Sequence, residues 1–166
     1  MLELAFLRVF LAWEVFVEQS FLLYVMGAAP LKGRRVHRFV FPPSRNVAEE
    51  WLTDGRDYAT WSSAAAVGQR AQRYFREGRP FTGVLRRNQN FLDETRFIRN
   101  AIAHRSGDAQ DKFEAMVRNK LGALPPNATA GSFLAATVPG VAPPLTFWES
   151  YTKKLAQLAD LIVRPQ

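Results

Sequence analysis

The chain has 166 residues, enough for one domain with its own apolar core, and 48% of them are hydrophobic. Its formal net charge is +7, and 17 of the 22 basic residues are arginine, so an anionic partner such as a nucleic acid is expected. The alternative is that these arginines serve solubility and surface ion pairs. There is no cysteine, which excludes disulfides, thiolate metal sites and cysteine nucleophiles.

The first segment, from Leu2 to Met26, is predicted to be a long helix. Its apolar residues form two stripes, so we expect a central helix with neighbours on two sides. The stripes contain Phe6, Phe10, Trp13, Val17 and Tyr24, and Leu7, Leu11, Val15, Leu22 and Met26. Charged residues interrupt the segment and no cationic region precedes it, which favours a soluble, cytoplasmic protein without a membrane span.

A basic connector is predicted over residues 27–45, with a short extended piece near 36–41 that Pro42 and Pro43 close. Asn46 and Glu49 have the spacing of a helix start, and the helix is expected to reach Gly55.

A longer helix is predicted from Tyr58 to Arg76, with Gly78 as its stop. Its inward face is expected to contain Trp61 and Ala71, and its outer face Arg70, Arg73 and Arg76.

The next helix is predicted from Thr82 to Ala103, and another from Asp108 to Leu121. The segment from Ala123 to Pro144 contains five prolines and many small residues, so we expect a long loop outside the main core, with only one or two helical turns within Ser132–Val138.

Thr146 and Glu149 form a capping box at the start of a final helix, whose inward residues include Tyr151 and Leu158. The predicted fold is therefore all-α, a bundle of four to five main helices in a single domain over residues 1–166.

The strongest functional signal is the sequence Arg99-Asn100-Ala101-Ile102-Ala103-His104 at the end of the third long helix. A guanidinium, a carboxamide and an imidazole suit metal-independent cleavage of RNA. Attack by the ribose 2′-OH on the adjacent phosphorus needs a base, an acid and positive charge on the transition state. His104 can transfer protons near neutral pH, Arg99 can hold the phosphate, and Asn100 can orient the imidazole or the phosphate. The alternative is a histidine at the helix C-terminus that only complements the helix dipole.

On an ideal helix the side chains of Arg99 and His104 would point 140° apart, because five residues turn 500° at about 100° each. Two arrangements could bring them to one phosphate. Either the helix ends before His104, so that the imidazole turns back, or two copies of the chain share a composite site.

The Arg99-Asn100…His104 pattern resembles the signature of the HEPN superfamily, in which an arginine precedes a histidine by four to six residues and a polar residue commonly follows the arginine. The all-α prediction and a first helix carrying Trp13-Glu14 also resemble its stand-alone prokaryotic members, including those grouped as RiboL-PSP and MAE-type.

The resemblance implies an HEPN-like bundle and a homodimer in which two Arg/His pairs meet, with Arg99, Asn100 and His104 as catalytic residues. It also implies an endoribonuclease that serves as a toxin or phage-defence effector, under an antitoxin or another regulatory protein. HEPN toxins silenced by nucleotidylation carry a tyrosine two residues after the histidine. Ser106 stands there in this chain, which argues against that form of control.

Four further arginines, Arg86, Arg87, Arg96 and Arg105, lie near the motif in sequence and are predicted to bind RNA, although each could instead pair with a nearby carboxylate. With two histidines and no cysteine, neither a metal site nor a cofactor is expected. The competing prediction is a non-catalytic helical module that binds RNA, a nucleotide or a partner protein.

Overall fold

The computed structural model describes residues 1–53, 59–104 and 106–165. Within these ranges the secondary structure is helical, and no strand longer than an isolated bridge forms, so the predicted all-α class is confirmed. A 3₁₀ turn at Arg76–Gly78 separates the third helix from the fourth. The helices are α1 Leu2–Val25, α2 Arg45–Thr53, α3 Ala64–Tyr74, α4 Phe81–Arg87, α5 Gln89–Ala103, α6 Gly107–Leu121, α7 Ala130–Ala135 and α8 Phe147–Val163.

The chain divides into two compact units. The first unit consists of Met1–Ala12 and Asp93–Ala156, and the second consists of Trp13–Leu92 with the C-terminal segment from Gln157. Each unit has a core of aromatic side chains. Aromatic side chains stabilise a core strongly because each ring buries a large apolar area.

The core of the first unit is centred on Phe133 of α7. Its ring stacks on Phe147 at a centroid distance of 4.3 Å and meets Phe113 and Tyr151 edge-on at 6.1 and 6.3 Å. Leu134 is also completely buried. The expectation that the proline-rich segment lies outside the core is therefore wrong, because the two apolar residues of α7 fill it while the prolines remain in the flanking loop.

The core of the second unit is centred on Phe21 of α1. Its ring contacts Trp61, Tyr74, Phe75 and Phe81 at centroid distances of 4.9 to 5.8 Å. One stripe of α1 is buried as predicted. The second stripe is buried only in part, since Leu22 is buried but Leu11 is 59% exposed and Val15 46% exposed.

The connector explains why α3 ends earlier than predicted. Residue Arg38 forms a bridge with Phe75, in which the Phe39 amide donates to the Tyr74 carbonyl at 2.9 Å and the Arg76 amide donates to the His37 carbonyl at 2.9 Å. These bonds draw the chain out of the helix after Tyr74. The predicted stop, Gly78, instead closes the 3₁₀ turn with a φ of +64°.

Helix starts also differ from the predictions. The Ser63 hydroxyl caps α3, accepting from the Ala66 amide at 3.3 Å, and Ser44 stands before α2, where Asn46 was expected to cap. The predicted boundaries at Gly55 and Tyr58 lie outside the described residues. Arg70 of α3 is buried rather than outward-facing, because its guanidinium packs over the Trp61 ring at 4.6 Å.

The helix predicted from Thr82 to Ala103 is divided at Asn88 into α4 and α5. The Asn88 side chain donates to the Val84 carbonyl at 2.8 Å, which satisfies an acceptor that the interrupted helix leaves open. Arg86 and Arg87 therefore lie on a different helix from Arg99.

Candidate functional site

The candidate site is formed where α5 ends. The helix stops at Ala103, and the amide of His104 still donates to the Asn100 carbonyl at 2.8 Å. Helix α6 begins at Gly107, where the Ser106 hydroxyl accepts from the Ala109 amide at 3.4 Å as an N-cap. His104 thus directly follows the last residue of α5, and its amide makes the final bond of that helix.

Arg99 connects the three residues of the motif. Its Nη1 atom donates to Asn100 Oδ1 at 3.1 Å and lies 3.1 Å from His104 Nε2. The first of the two expected arrangements is thus the observed one: α5 ends before His104 and the imidazole turns back toward Arg99. The ends of the two side chains meet within one chain, so the expected divergence of 140° gives no reason to invoke a second chain.

The contact with Arg99 also assigns roles to the histidine nitrogens. A guanidinium has no acceptor, so the Nη1–Nε2 contact is a hydrogen bond only when Nε2 carries no proton. In that state Nδ1 holds the proton of the neutral ring. Asn100 contacts the guanidinium, where the sequence alone left open whether it orients the imidazole or the phosphate.

Arg99 keeps donors available for a ligand. Both hydrogens of Nη1 are used by Asn100 and His104, which leaves Nη2 and Nε, three N–H groups in all. No carboxylate of the described residues forms an ion pair with Arg99. A side-on phosphate could therefore accept two hydrogen bonds without displacing an internal anion.

The helix that carries the motif is held by a polar network within the first unit. The Tyr151 hydroxyl donates to Glu94 Oε2 at 2.9 Å, and Lys120 Nζ lies 2.8 Å from Glu94 Oε1. Burial, and then the charge of Glu94 and the hydrogen bond to it, raise the pKa of Tyr151 well above its usual value, so the phenol stays protonated. Sequence reasoning missed this network because it joins residues up to 57 positions apart.

The four flanking arginines occupy different environments. Arg96 pairs with Asp93 at 3.1 Å, and Arg87 Nε donates to the Gly83 carbonyl at 3.0 Å. Arg86 is exposed on α4, and Arg105 lies outside the described residues. The charge of Arg96 is thus partly compensated by Asp93, whereas Arg86 forms no ion pair with a described carboxylate.

Comparison with protein-family models gives no match, and comparisons with curated proteins and with solved structures find no significant similarity. The resemblance to the HEPN superfamily therefore depends on the motif and the predicted helices alone. None of the described helices is long and apolar enough to cross a membrane.

Proposed function

We propose that the protein is a metal-independent endoribonuclease whose site contains Arg99, Asn100 and His104. The observation that carries the proposal is the 3.1 Å approach of Arg99 Nη1 to His104 Nε2, beside unused guanidinium donors, at an exposed helix end. A cationic phosphate binder and a proton carrier next to each other are what 2′-OH attack on a phosphodiester requires.

The proposed reaction forms one bond and breaks one. The 2′-oxygen attacks phosphorus, a base takes the 2′-OH proton, the bond from phosphorus to the 5′-oxygen breaks, and an acid protonates that oxygen. The products are a 2′,3′-cyclic phosphate and a 5′-hydroxyl. Arg99 stabilises the charge on the phosphorane, and Asn100 orients the guanidinium. The phosphate accepts hydrogen bonds from Nη2 and Nε of Arg99, and Nε2 of His104 transfers a proton when its contact with Nη1 opens.

The reaction needs two proton carriers, and this site has one imidazole. A homodimer in which His104 of each chain serves one transfer would supply both, in agreement with the HEPN resemblance. That resemblance is also the basis for the role as a toxin or phage-defence effector, and for an antitoxin or other regulatory partner.

A second candidate is a non-catalytic module that binds RNA, a nucleotide or a partner protein. The contact between Arg99 Nη1 and His104 Nε2 also supports this candidate. Without a ligand, Nε2 is already in contact with Arg99, as it would be in a purely structural hydrogen bond. In this case His104 would only fix the guanidinium.

Incubation of the purified protein with single-stranded RNA in EDTA separates the two candidates. The endoribonuclease cuts RNA in the chelator, and His104→Ala lowers the rate by about 10²–10⁴. Asn90→Ala, an exposed polar residue on the same helix, is the matched control and should keep the wild-type rate. Binding without cleavage in the wild type would support the non-catalytic module.

A further inference from the structure

The second unit contains a continuous depression beside the connector. Three cavities of about 540, 630 and 510 Å³ share walls: Arg79 and Pro80 line the first and second, and Arg35 and His37 line the first and third. We call this depression the basic groove. The arginines that line it are Arg34, Arg35, Arg38, Arg76, Arg79 and Arg87.

The charge of the basic groove is largely uncompensated. Among the described residues that line it, the one carboxylate is that of Glu77, which pairs with Arg79 at 2.9 Å. Arg34, Arg35 and Arg76 are exposed and form no ion pair with any described carboxylate. Cations gathered on one surface without partners repel each other, and an anionic ligand relieves that repulsion.

Exposed aromatic rings stand at one end of the groove. Phe39 is 53% exposed and Phe41 69% exposed, and both line the third cavity. The Arg38 guanidinium lies 4.8 Å from the centroid of Phe41, and His37 meets Phe39 edge-on at 5.7 Å. These rings take no part in the core around Phe21, so core packing does not explain them.

We propose that the basic groove binds single-stranded nucleic acid, with phosphates on Arg34, Arg35 and Arg76 and bases stacked on Phe39 and Phe41. Arginines that follow a backbone, together with aromatic platforms for unpaired bases, are the two components of single-strand recognition. Duplex bases are already stacked and cannot use the rings. The choice of RNA as the strand rests on the proposed function, whereas the groove's chemistry requires only an unpaired polynucleotide.

The binding test uses the full-length His104→Ala protein, so that the strand stays intact, and a fluorescent 12-nucleotide RNA of mixed sequence followed by anisotropy. Replacing both Phe39 and Phe41 with Leu keeps apolar bulk but removes the stacking faces, and should weaken binding at least about tenfold. The triple variant R34Q/R35Q/R76Q should lower the slope of log affinity against log salt by about 2, at about 0.7 for each phosphate contact.

The matched control is R8Q/R118Q/K153Q, which removes the same charge from exposed positions outside the groove lining. It should change both affinity and salt slope much less than the groove variant. A single-stranded DNA of the same sequence should bind within a few-fold of the RNA, and a duplex distinctly more weakly.

Three results would overturn the proposal. The first is unchanged RNA affinity in the Phe39/Phe41 double variant when its unfolding midpoint is also unchanged. The others are a loss of affinity in R8Q/R118Q/K153Q equal to that in R34Q/R35Q/R76Q, and duplex binding as tight as single-strand binding. Displacement of the RNA by polyglutamate at equal charge concentration would instead indicate an acidic protein partner. Failure of the proposed cleavage is seen separately, as a His104→Ala rate equal to that of the wild type, and leaves the binding data unaffected.

Discussion

At the scale of single residues, the function proposed for Arg99 depends on how it distributes its donors. One nitrogen holds Asn100 and His104, and the other two remain for a ligand. A lysine carries one ammonium group and cannot hold two neighbours while presenting a planar pair of donors to a phosphate.

We therefore predict that Arg99→Lys lowers the turnover of RNA by about 10²–10³-fold, the usual loss when one preorganised donor to a transition state is removed. Arg118→Lys, on the exposed face of α6, is the matched control and should keep full activity. Steady-state kinetics with a fluorogenic RNA measures the effect. An active Arg99→Lys variant would show that bidentate contact is not needed.

The sequence identified the motif but not its geometry. The 140° divergence of Arg99 and His104 applied to an ideal continuous helix, and the sequence left open whether the helix ends before His104 or two chains share the site. The predicted end of the helix at Ala103 is confirmed, but the sequence could not show that the two side chains meet there within one chain. Helical periodicity also failed to predict the environment of Arg70. It places this side chain on the outer face, but a contact with Trp61, nine residues earlier, buries it.

At the scale of elements, local signals predicted helices more reliably than they predicted helix ends. The Thr146/Glu149 capping box was predictable because all its atoms lie within one turn, and it is confirmed: Thr146 N and Oγ1 lie 2.7 and 2.9 Å from Glu149 Oε2. The end of α3 was not predictable, since it depends on a bridge to Arg38, far away in sequence.

The capping box gives a prediction about pH. Hydrogen bonds from the Thr146 amide and hydroxyl lower the pKa of Glu149 below its usual value of 4.5. A carboxylate with a lowered pKa stabilises the fold above its unfolded pKa, and loses this effect as the pH falls through the folded value. The urea midpoint of wild type should therefore exceed that of Glu149→Gln at about pH 7, and the difference should shrink toward about pH 3. A pH-independent difference would contradict this explanation.

Helix α7 gives a prediction about stability. Phe133 contacts three aromatic rings, so Phe133→Ala should lower the free energy of unfolding by about 3–5 kcal/mol, the usual cost of a large cavity in a core. Val141→Ala, an exposed apolar residue in the same proline-rich segment, should change it by less than about 0.5 kcal/mol. Equal effects in urea denaturation would show that α7 does not contribute to the core.

At the scale of the whole molecule, the positive net charge is concentrated partly in the basic groove, which the linear sequence only suggested. The connector was predicted to be basic, but Arg76 and Arg79 follow α3 and join it through the bridge at Phe75. The number of chains in the active molecule is a separate question, since the proposed reaction needs two proton carriers and the site of one chain contains one imidazole.

The composite site predicts that the active species is a dimer, with twice the 18.8 kDa mass of one chain. Sedimentation velocity over a dilution series, with RNA cleavage measured on the same samples, should show specific activity falling as the dimer dissociates. Constant specific activity in samples that sediment as monomer would rule out a site shared between two chains.

The central claim is cleavage by 2′-OH attack assisted by Arg99 and His104, and mass spectrometry of the product ends tests it most directly. The substrate is a DNA oligonucleotide with one internal ribonucleotide, incubated in EDTA. We predict a cut only after the ribonucleotide, ending in a 2′,3′-cyclic phosphate and a 5′-hydroxyl, and its loss in His104→Ala. Products with a 5′-phosphate, or the same cut in His104→Ala, would contradict the claim.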